Sequence, residues 1–418
     1  SLDALSDDDA STDVRVVFSW SYRQLSLAAA RLFRLLGMCG GDAIGVQAVT
    51  ALAGGDARTS LAELVQAQLI SSPAPDRYSC HDLLAAYAAE LVELDTGREA
   101  AHERLLDYYL HCADIADDLL PVSRTPMSIS PRHRPLETPS LTTAGEATAW
   151  FDAELPNLIA AIESAAAPRT WQLTYTLSRY LWLRADLRTL LRVCHLALPS
   201  TEGTAEPRLA ILLNIGIAHE RLREHEEAVM WLERALDVSG QVSGLARARV
   251  LGTLASALEH LGRLDEAEAH HLEATATAQK AGATWIEAIT RHNLGAFYKK
   301  TQRWDDAERE IQLALPMYDQ AGERVGAVSC RVNLAELQFA RGAFEAARAT
   351  ARTSLAMSRE IGSRYHEAGS LAVIGDTAHV MNTQDAIEHW EEALAIYEEI
   401  GAPEANEVRA KLQAVRNV

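Results

Sequence analysis

The chain has 418 residues, 48% of them hydrophobic, which is ample for a core and long enough for two or three units. Asp and Glu number 58 against 39 Lys and Arg, and a net charge of −19 speaks against non-specific attraction to nucleic-acid phosphates.

Residues 1–13 hold Asp3, Asp7, Asp8, Asp9 and Asp13 and no base, and read as an acidic linker. Ser1 opens straight into it, as a segment internal to a longer protein does. Residues 14–95 have the rhythm of a small domain. Val14–Leu25 is expected to be a helix with Val17, Trp20 and Tyr22 inward. Leu27–Leu36 is a second, with Ala30, Phe33 and Leu36 on one face and Ser26 as its cap. Gly37–Ile44 breaks the pattern, and Gly45–Leu52 and Thr59–Leu69 give two short helices. Leu69-Ile70 and Tyr78-Ser79-Cys80, with a turn at 71–77 between them, predict a two-stranded hairpin. His81–Leu94 closes as an amphipathic helix. Helices followed by a small hairpin are the pattern of a winged helix. The segment has six Arg, no Lys and eight acidic residues, so it lacks the basic stripe a DNA reader needs.

Residues 96–170 read as a helical connector. Arg98–Leu120 is a helix with Leu105, Leu106, Tyr109 and Leu110. Pro121, Pro126, Pro131, Pro135 and Pro139 make 121–145 a Pro-rich loop. Ala147–Ala166 resumes helix, with Trp150, Phe151, Leu155, Leu158 and Ile162 apolar.

From residue 171 onward the sequence repeats. Ala228, Ala267, Ala307, Ala347 and Ala386 are separated by 39, 40, 40 and 39 residues. A small residue stands eleven or twelve places before each (Gly216, Ala255, Gly295, Ala335, Gly375), which lets two antiparallel helices approach closely. Leu232, Ile311 and Trp390, four places after a marker alanine, are expected to fill the gap toward the next pair; His271 and Ala351 depart from that pattern. Gly240, Gly282, Gly322, Gly362 and Gly401 recur as left-handed helix stops. Inner turns are expected near Glu224, Gly262, Gln302, Gly342 and Thr383, and acidic residues (Asp265, Asp305, Glu345, Asp385) follow them at the positive end of the next helix. A degenerate unit is placed at 171–198, with Leu190 and Ala197 in the marker places.

These markers resemble the tetratricopeptide family, whose usual period is about 34 residues; here it is near 40. The fold class is therefore all-α: a winged-helix domain with its small β-hairpin, a helical connector, then a tetratricopeptide-type solenoid over 171–418. The N-terminal segments sharpen the resemblance. Phe18-Ser19-Trp20-Ser21-Tyr22, Leu61-Ala62-Glu63-Leu64-Val65 and Tyr78-Ser79-Cys80-His81-Asp82-Leu83-Leu84 resemble the winged helix of the NB-ARC family. Trp150-Phe151, Glu154 and Pro156-Asn157-Leu158 resemble the run before the repeats in its AfsR-like transcription regulators of actinomycetes. In that family a Met-His-Asp triplet ends the winged helix, and its His contacts the β-phosphate of ADP. Cys80-His81-Asp82 stands there, so the resemblance implies that His81 senses nucleotide in the full-length protein. ADP or ATP is thus implied for the longer protein, and no cofactor is expected for this segment. The alternative is that His81 is only a helix-terminal residue held by Asp82 or a backbone carbonyl.

No GxxxxGK[ST], GxSxG or HExxH occurs; His102-Glu103, His225-Glu226 and His366-Glu367 each lack the second His. No catalytic residue, no metal site and no enzymatic activity are assigned. Cys39, Cys80, Cys112, Cys194 and Cys330 show no CxxC spacing and read as buried thiols of a cytoplasmic protein. No run of about eighteen apolar residues is available to span a membrane, and no secretory signal precedes the first helix. The expected function is that of a sensor and autoinhibitory module. Its repeats would bind a protein, peptide or ligand, and its winged helix would contact a nucleotide-binding domain outside this chain. The partner site is placed on the inward face of the first helices. Asn214, Asn293 and Asn333 are equivalent there and can bond both N–H and C=O of an extended peptide. Arg249, His292 and Lys299 are the exposed candidates beside them. Thr253 and Val373 interrupt the ladder, and helix packing is the other account of these amides. A regulator that binds DNA through the winged helix is the alternative function.

Overall fold

The computed structural model describes residues 14–41, 43–120, 127, 129 and 131–416, with side chains from Phe18 onward. Expectations for the linker 1–13, for the Val17 side chain and for Pro121 and Pro126 lie outside the described residues. The chain divides into two compact units, residues 1–222 and 223–418.

The first unit opens with α1 (Val14–Arg23) and α2 (Leu27–Leu36). Ser26 caps α2, its Oγ accepting from Ala29 N, and Glu63 accepts from both the Ser26 amide and its hydroxyl. The buried side of α2 is Ala29, Leu32, Phe33, Leu35 and Leu36, so Ala29 and not Ala30 faces inward. Trp20 is 68% exposed, contrary to expectation. Phe18 and Tyr22, one turn apart, both pack on Tyr87 of α5 (Asp82–Val92), and Trp20, midway between them, is left on the opposite side of the helix.

Three short strands follow the same logic of local chemistry. β1 (Ile44–Gly45), β2 (Ser71–Ala74) and β3 (Arg77–Ser79) form a sheet in the order β1-β3-β2. Antiparallel register pairs Ile44 with Tyr78 and Ala74 with Arg77. The hairpin turn therefore contracts to Pro75-Asp76, with Asp76 at φ +56°, and β1 is a strand the sequence pattern did not show. Helices α3 (Val46–Ala53) and α4 (Arg58–Gln66) separate β1 from β2. This helix-and-sheet arrangement is consistent with a winged helix.

α6 (Arg98–Asp118) packs on α3, and α7 (Ala144–Ser164) packs on α6. Thr143 and Glu146 form a reciprocal capping box that starts α7 three residues before the expected point. α8 (Arg169–Leu183) and α9 (Leu187–Ala197) are the degenerate pair, with Leu190 and Ala197 fully buried. After a 3-10 turn at Leu198–Thr201, α10 (Ala205–Arg221) ends the unit.

The second unit is helical throughout its described residues: α11 (His225–Ser239), α12 (Gly244–His260), α13 (Leu264–Lys280), α14 (Thr284–Lys300), α15 (Trp304–Ala321), α16 (Arg324–Ala340), α17 (Phe344–Ile361), α18 (Arg364–Val380), α19 (Ala386–Glu399) and α20 (Ala405–Arg416). α12/α13, α14/α15, α16/α17 and α18/α19 pack as successive pairs, and the first helices of neighbouring pairs also touch. All five marker alanines are buried, as are Leu232, Ile311 and Trp390. The departures His271 and Ala351 are buried in the same places. A Cβ on Gly295 would stand 2.8 Å from Ile311 Cγ1, which explains the small residue twelve places before the marker.

The outer turns follow the expected rule with one correction. Gly282, Gly322, Gly362 and Gly401 have φ between +66° and +70°, whereas Gly240 is right-handed at φ −62°. Gly282, Gly322 and Gly362 directly precede the N-cap of the next helix. Gly240 lies three residues before its N-cap Ser243, so the turn there needs no left-handed residue.

Candidate functional site

The first helices of the repeats are buried on most sides and reach solvent along one stripe. On α14 that stripe is Trp285, Ile289, Asn293, Ala296 and Lys300, spaced to fall on one face of a helix, while Ile286, Leu294, Gly295 and Phe297 are buried. The same places on α16 are Val325, Ser329, Asn333, Glu336 and Ala340, and on α12 they are Leu245, Arg249, Thr253, Ser256 and His260. Each row repeats every 40 residues across the helices. The expected site residues of the second unit thus lie on or beside one repeated face. Asn214 belongs to the first unit, on α10, where its Oδ1 accepts from Trp182 Nε1 at 3.4 Å.

The face is not an open amide ladder. Lys299 Nζ donates to Asn333 Oδ1 at 2.5 Å and pairs with Glu336. A lysine can only donate, so this bond fixes the Asn333 amide with its Nδ2 toward His292 Nε2, 2.7 Å away. His292 must then accept at Nε2, and its Nδ1–H is directed at the Tyr318 hydroxyl, 3.4 Å away on α15. The result is a directed chain, Lys299 to Asn333 to His292 to Tyr318, across two repeats. Both ends of the Asn333 amide are used. Asn293 by contrast is half-buried and has no side-chain hydrogen bond among the described residues. Arg249 is exposed.

His292 corrects an expectation. It is 8% exposed, not a surface residue, because Asn333 and Tyr318 close over it. Lys299 is likewise half-buried and paired. Glu336 and Tyr318 were not singled out from sequence; Glu336 shares a 40-residue row with Ser256 and Ala296, and that row was the available signal.

Burial pushes the His292 imidazole down to about 4, with the charge of Lys299 and the nearby His366 adding to the effect. Its native pKa is below the unfolded value, so between about pH 6.5 and 4 the unfolded chain binds a proton that the native state refuses. Stability is therefore lost as pH falls through that window. Between pH 7.5 and 5.5 the loss from this group is expected to be on the order of 1 kcal/mol. His292→Gln, which keeps an acceptor but does not titrate, should remove that increment in denaturation measured at the two pH values. An unchanged pH slope in the variant would refute the assignment.

His81 is the N-cap of α5, exposed, with its Nδ1 accepting from Leu83 N at 3.4 Å. Its partner here is the backbone N–H of Leu83, not Asp82 or a backbone carbonyl. Close by, the central strand of the sheet is tied to the connector. Arg77 Nη1 meets Glu154 at 2.5 Å and Nη2 donates to the carbonyls of Ala43 and Ala153. Glu154, 3% exposed, also accepts from Asn157 Nδ2 at 2.7 Å and from Tyr109 OH. The one arginine of the hairpin is thus spent on an internal carboxylate. The five cysteines are free thiols; Cys112, Cys194 and Cys330 are buried, while Cys39 and Cys80 are only partly so. Burial raises Cys112 to about 12. Among the described residues no group of three or more His, Cys, Asp or Glu is placed to hold a metal, and no helix is long and apolar enough to cross a membrane.

The tetratricopeptide repeat family matches residues 207–280 and 286–360. A Rap protein, solved in complex with competence and sporulation factor, shares the fold with a TM-score of 0.51 at 12% identity. The match covers 80% of this chain and 92% of that one. The chain therefore carries tetratricopeptide repeats over residues 207–280 and 286–360. More particularly, it is AfsR-like along nearly its whole length. Regulatory protein AfsR of Streptomyces griseus is 27% identical over 448 aligned positions, covering 96% of this chain and 45% of that protein. The AfsR protein of Streptomyces coelicolor is 29% identical over 374, covering 87% and 34%. The chain spans less than half the length of these curated relatives.

Proposed function

We propose that this chain is the sensing and autoinhibitory portion of a STAND-type, NB-ARC transcriptional regulator, and that its repeats bind a partner protein, peptide or ligand on the first-helix face. The observation that carries the reading is the Asn293 amide, which sits in the repeated stripe with no side-chain partner among the described residues. Similarity to AfsR along 96% of the chain supports the regulatory role. The Rap protein of like fold was solved with a bound factor, which supports binding by such a repeat stack. In the longer protein, the exposed His81 at the start of α5 would read ADP or ATP, and the first unit would rest against the nucleotide-binding domain. No catalysis is assigned to the chain. Binding of DNA by the winged helix is disfavoured, because Arg77 is held by Glu154. Saturable binding to duplex DNA at low salt would reverse that choice.

The test is capture of partners from a cell extract by the 418-residue chain and by Asn293→Ala. That substitution breaks no internal side-chain bond and should change stability by less than about 0.5 kcal/mol. Affinity for the captured partner should fall by roughly 0.5–1.5 kcal/mol for each hydrogen bond lost. Asn333→Ala is the contrast: it orphans the buried His292 acceptor and should destabilise the fold by about 1–3 kcal/mol. Unchanged affinity in Asn293→Ala would place the binding surface elsewhere.

A further inference from the structure

We propose that Trp285, Val325 and Tyr365 form an anchor line for an extended basic peptide that carries an apolar side chain at every third position. The proposal rests on the first-helix face being the binding face and names the partner's chemistry. The three residues are the second residues of α14, α16 and α18, separated by 40 each time, and they are 48%, 53% and 48% exposed. Leu245 holds the same place on α12, partly buried. Single exposed apolar residues are ordinary on any surface. Leu272, Leu313 and Ile387 are of that kind, standing at unrelated places in their repeats. Trp285, Val325 and Tyr365 coincide in register, one per repeat.

Spacing selects the partner's conformation. Packed helices lie about 10 Å apart, and an extended chain advances about 3.3 Å per residue, so one repeat corresponds to three peptide residues. The unbonded Asn293 amide, two turns further along α14, favours an extended partner, since a helix satisfies its own main chain. Charge selects the composition. Residues 223–418 contain 30 Asp and Glu against 21 Lys and Arg. Beside the line, Arg324 pairs with Glu360 and Arg364 with Glu399. Glu323 has no cation partner among the described residues, and Glu404 accepts from Tyr365 OH at 2.7 Å. A lysine or arginine of the peptide would meet the exposed carboxylate of Glu323.

The probe is a fluorescein-labelled twelve-residue peptide repeating Leu-Lys-Ser, titrated into the 418-residue chain by anisotropy. Two control peptides are used, one with the same composition and Leu at every second position, one with Glu for Lys. The probe should bind saturably and at least about tenfold more tightly than either control. Trp285→Ser, Val325→Ser and Tyr365→Ser should each weaken it about threefold to fivefold. Glu323→Gln should also weaken it, and Trp285→Ser, Val325→Ser and Glu323→Gln should keep the parent melting temperature because these residues lie on the surface. Equal affinity of the three peptides, absence of saturable binding, or full affinity in the triple variant would overturn the proposal. Sedimentation showing that the triple variant abolishes a dimer, without any effect on the probe, would also overturn it in favour of self-association. Should captured partners depend on Asn293 and not on this line, the binding face stands and the anchor line falls.

Discussion

Arg169→Met is expected to cost about 3–5 kcal/mol of unfolding free energy, and the double change Asp107→Leu with Arg169→Met markedly less. Asp107 on α6 is fully buried, and Arg169, the first residue of α8, is 5% exposed. Arg169 Nη2 stands 2.6 Å from Asp107 Oδ1, and its Nη1 donates to Gln172 Oε1. The other carboxylate oxygen accepts from the backbone N–H of His133 at 2.8 Å and lies 2.7 Å from its Nδ1. This pins the described part of the Pro-rich segment onto α6. Removing the guanidinium leaves the carboxylate buried with only His133 to answer it, which is the expensive case. Removing both charges leaves no buried charge, only the Gln172 amide oxygen and the His133 N–H without their partners, and leucine with methionine roughly fills the space. His133 is half exposed and can turn to water. Chemical denaturation of the two singles and the double decides the matter. A double variant as unstable as the sum of the singles would mean that the pair contributes through packing and not through charge.

The contrast between what could and could not be read from sequence follows from range. The repeats were legible because their code is local. A buried Ala and a small residue before it, Gly or Ala, recur every 39 or 40 residues, and each marks a contact that the next repeat makes again. The internal carboxylates were not legible. Asp107, Asp117 and Glu154 sit in helices among other charges, and their arginines are Arg169, Arg179 and Arg77, each about sixty residues away or more. Nothing in the neighbourhood of Glu154 separates it from the solvated Glu163 until Arg77 is brought against it by the sheet.

The hairpin shows a second kind of loss. Ser71-Ser72-Pro73-Ala74 has turn composition and was read as a turn, yet it is β2. It lies at the sheet edge and is exposed throughout, where a proline has no ladder bond to forfeit. Trp20 failed for the opposite reason. A large aromatic residue is a fair guess for a core, but Phe18 and Tyr22 had already taken the inward face. Of the candidate site, Asn293 and Asn333, equivalent in the repeat, fall on one stripe of the first helices. Sequence could not show that Asn333 is consumed by Lys299 and His292 while Asn293 is left over. That difference depends on which side chains of α14 stand opposite Asn333 on α16.

Trp390→Ala is expected to cost about 3–5 kcal/mol, the usual range for emptying a buried aromatic site. Trp390 is 2% exposed, in a cluster with Leu371, Ala378, Ala393, Val408 and Leu412 that joins α18, α19 and α20. Its Nε1 donates to Asp376 Oδ1 at 2.9 Å, and Asp376 Oδ2 meets Lys411 Nζ at 2.9 Å on α20. Truncation therefore opens a cavity and also leaves Asp376 one donor short. The indole needs the room that Gly375 leaves: a Cβ there would stand 2.5 Å from Trp390 Cδ1 and 2.6 Å from Nε1. Gly375→Ala should thus destabilise by about 1–3 kcal/mol as overpacking, although alanine is the better helix former. Gly252 on α12 is the control. It is also a mid-helix glycine, but an added Cβ there meets nothing within 4 Å. Gly252→Ala should gain up to about 1 kcal/mol from helix propensity alone. Denaturation of the three variants tests the packing rule behind the repeats. If Gly375→Ala stabilises as Gly252→Ala does, α18 and α19 do not depend on the glycine–tryptophan contact, and the small residue before each marker has another cause.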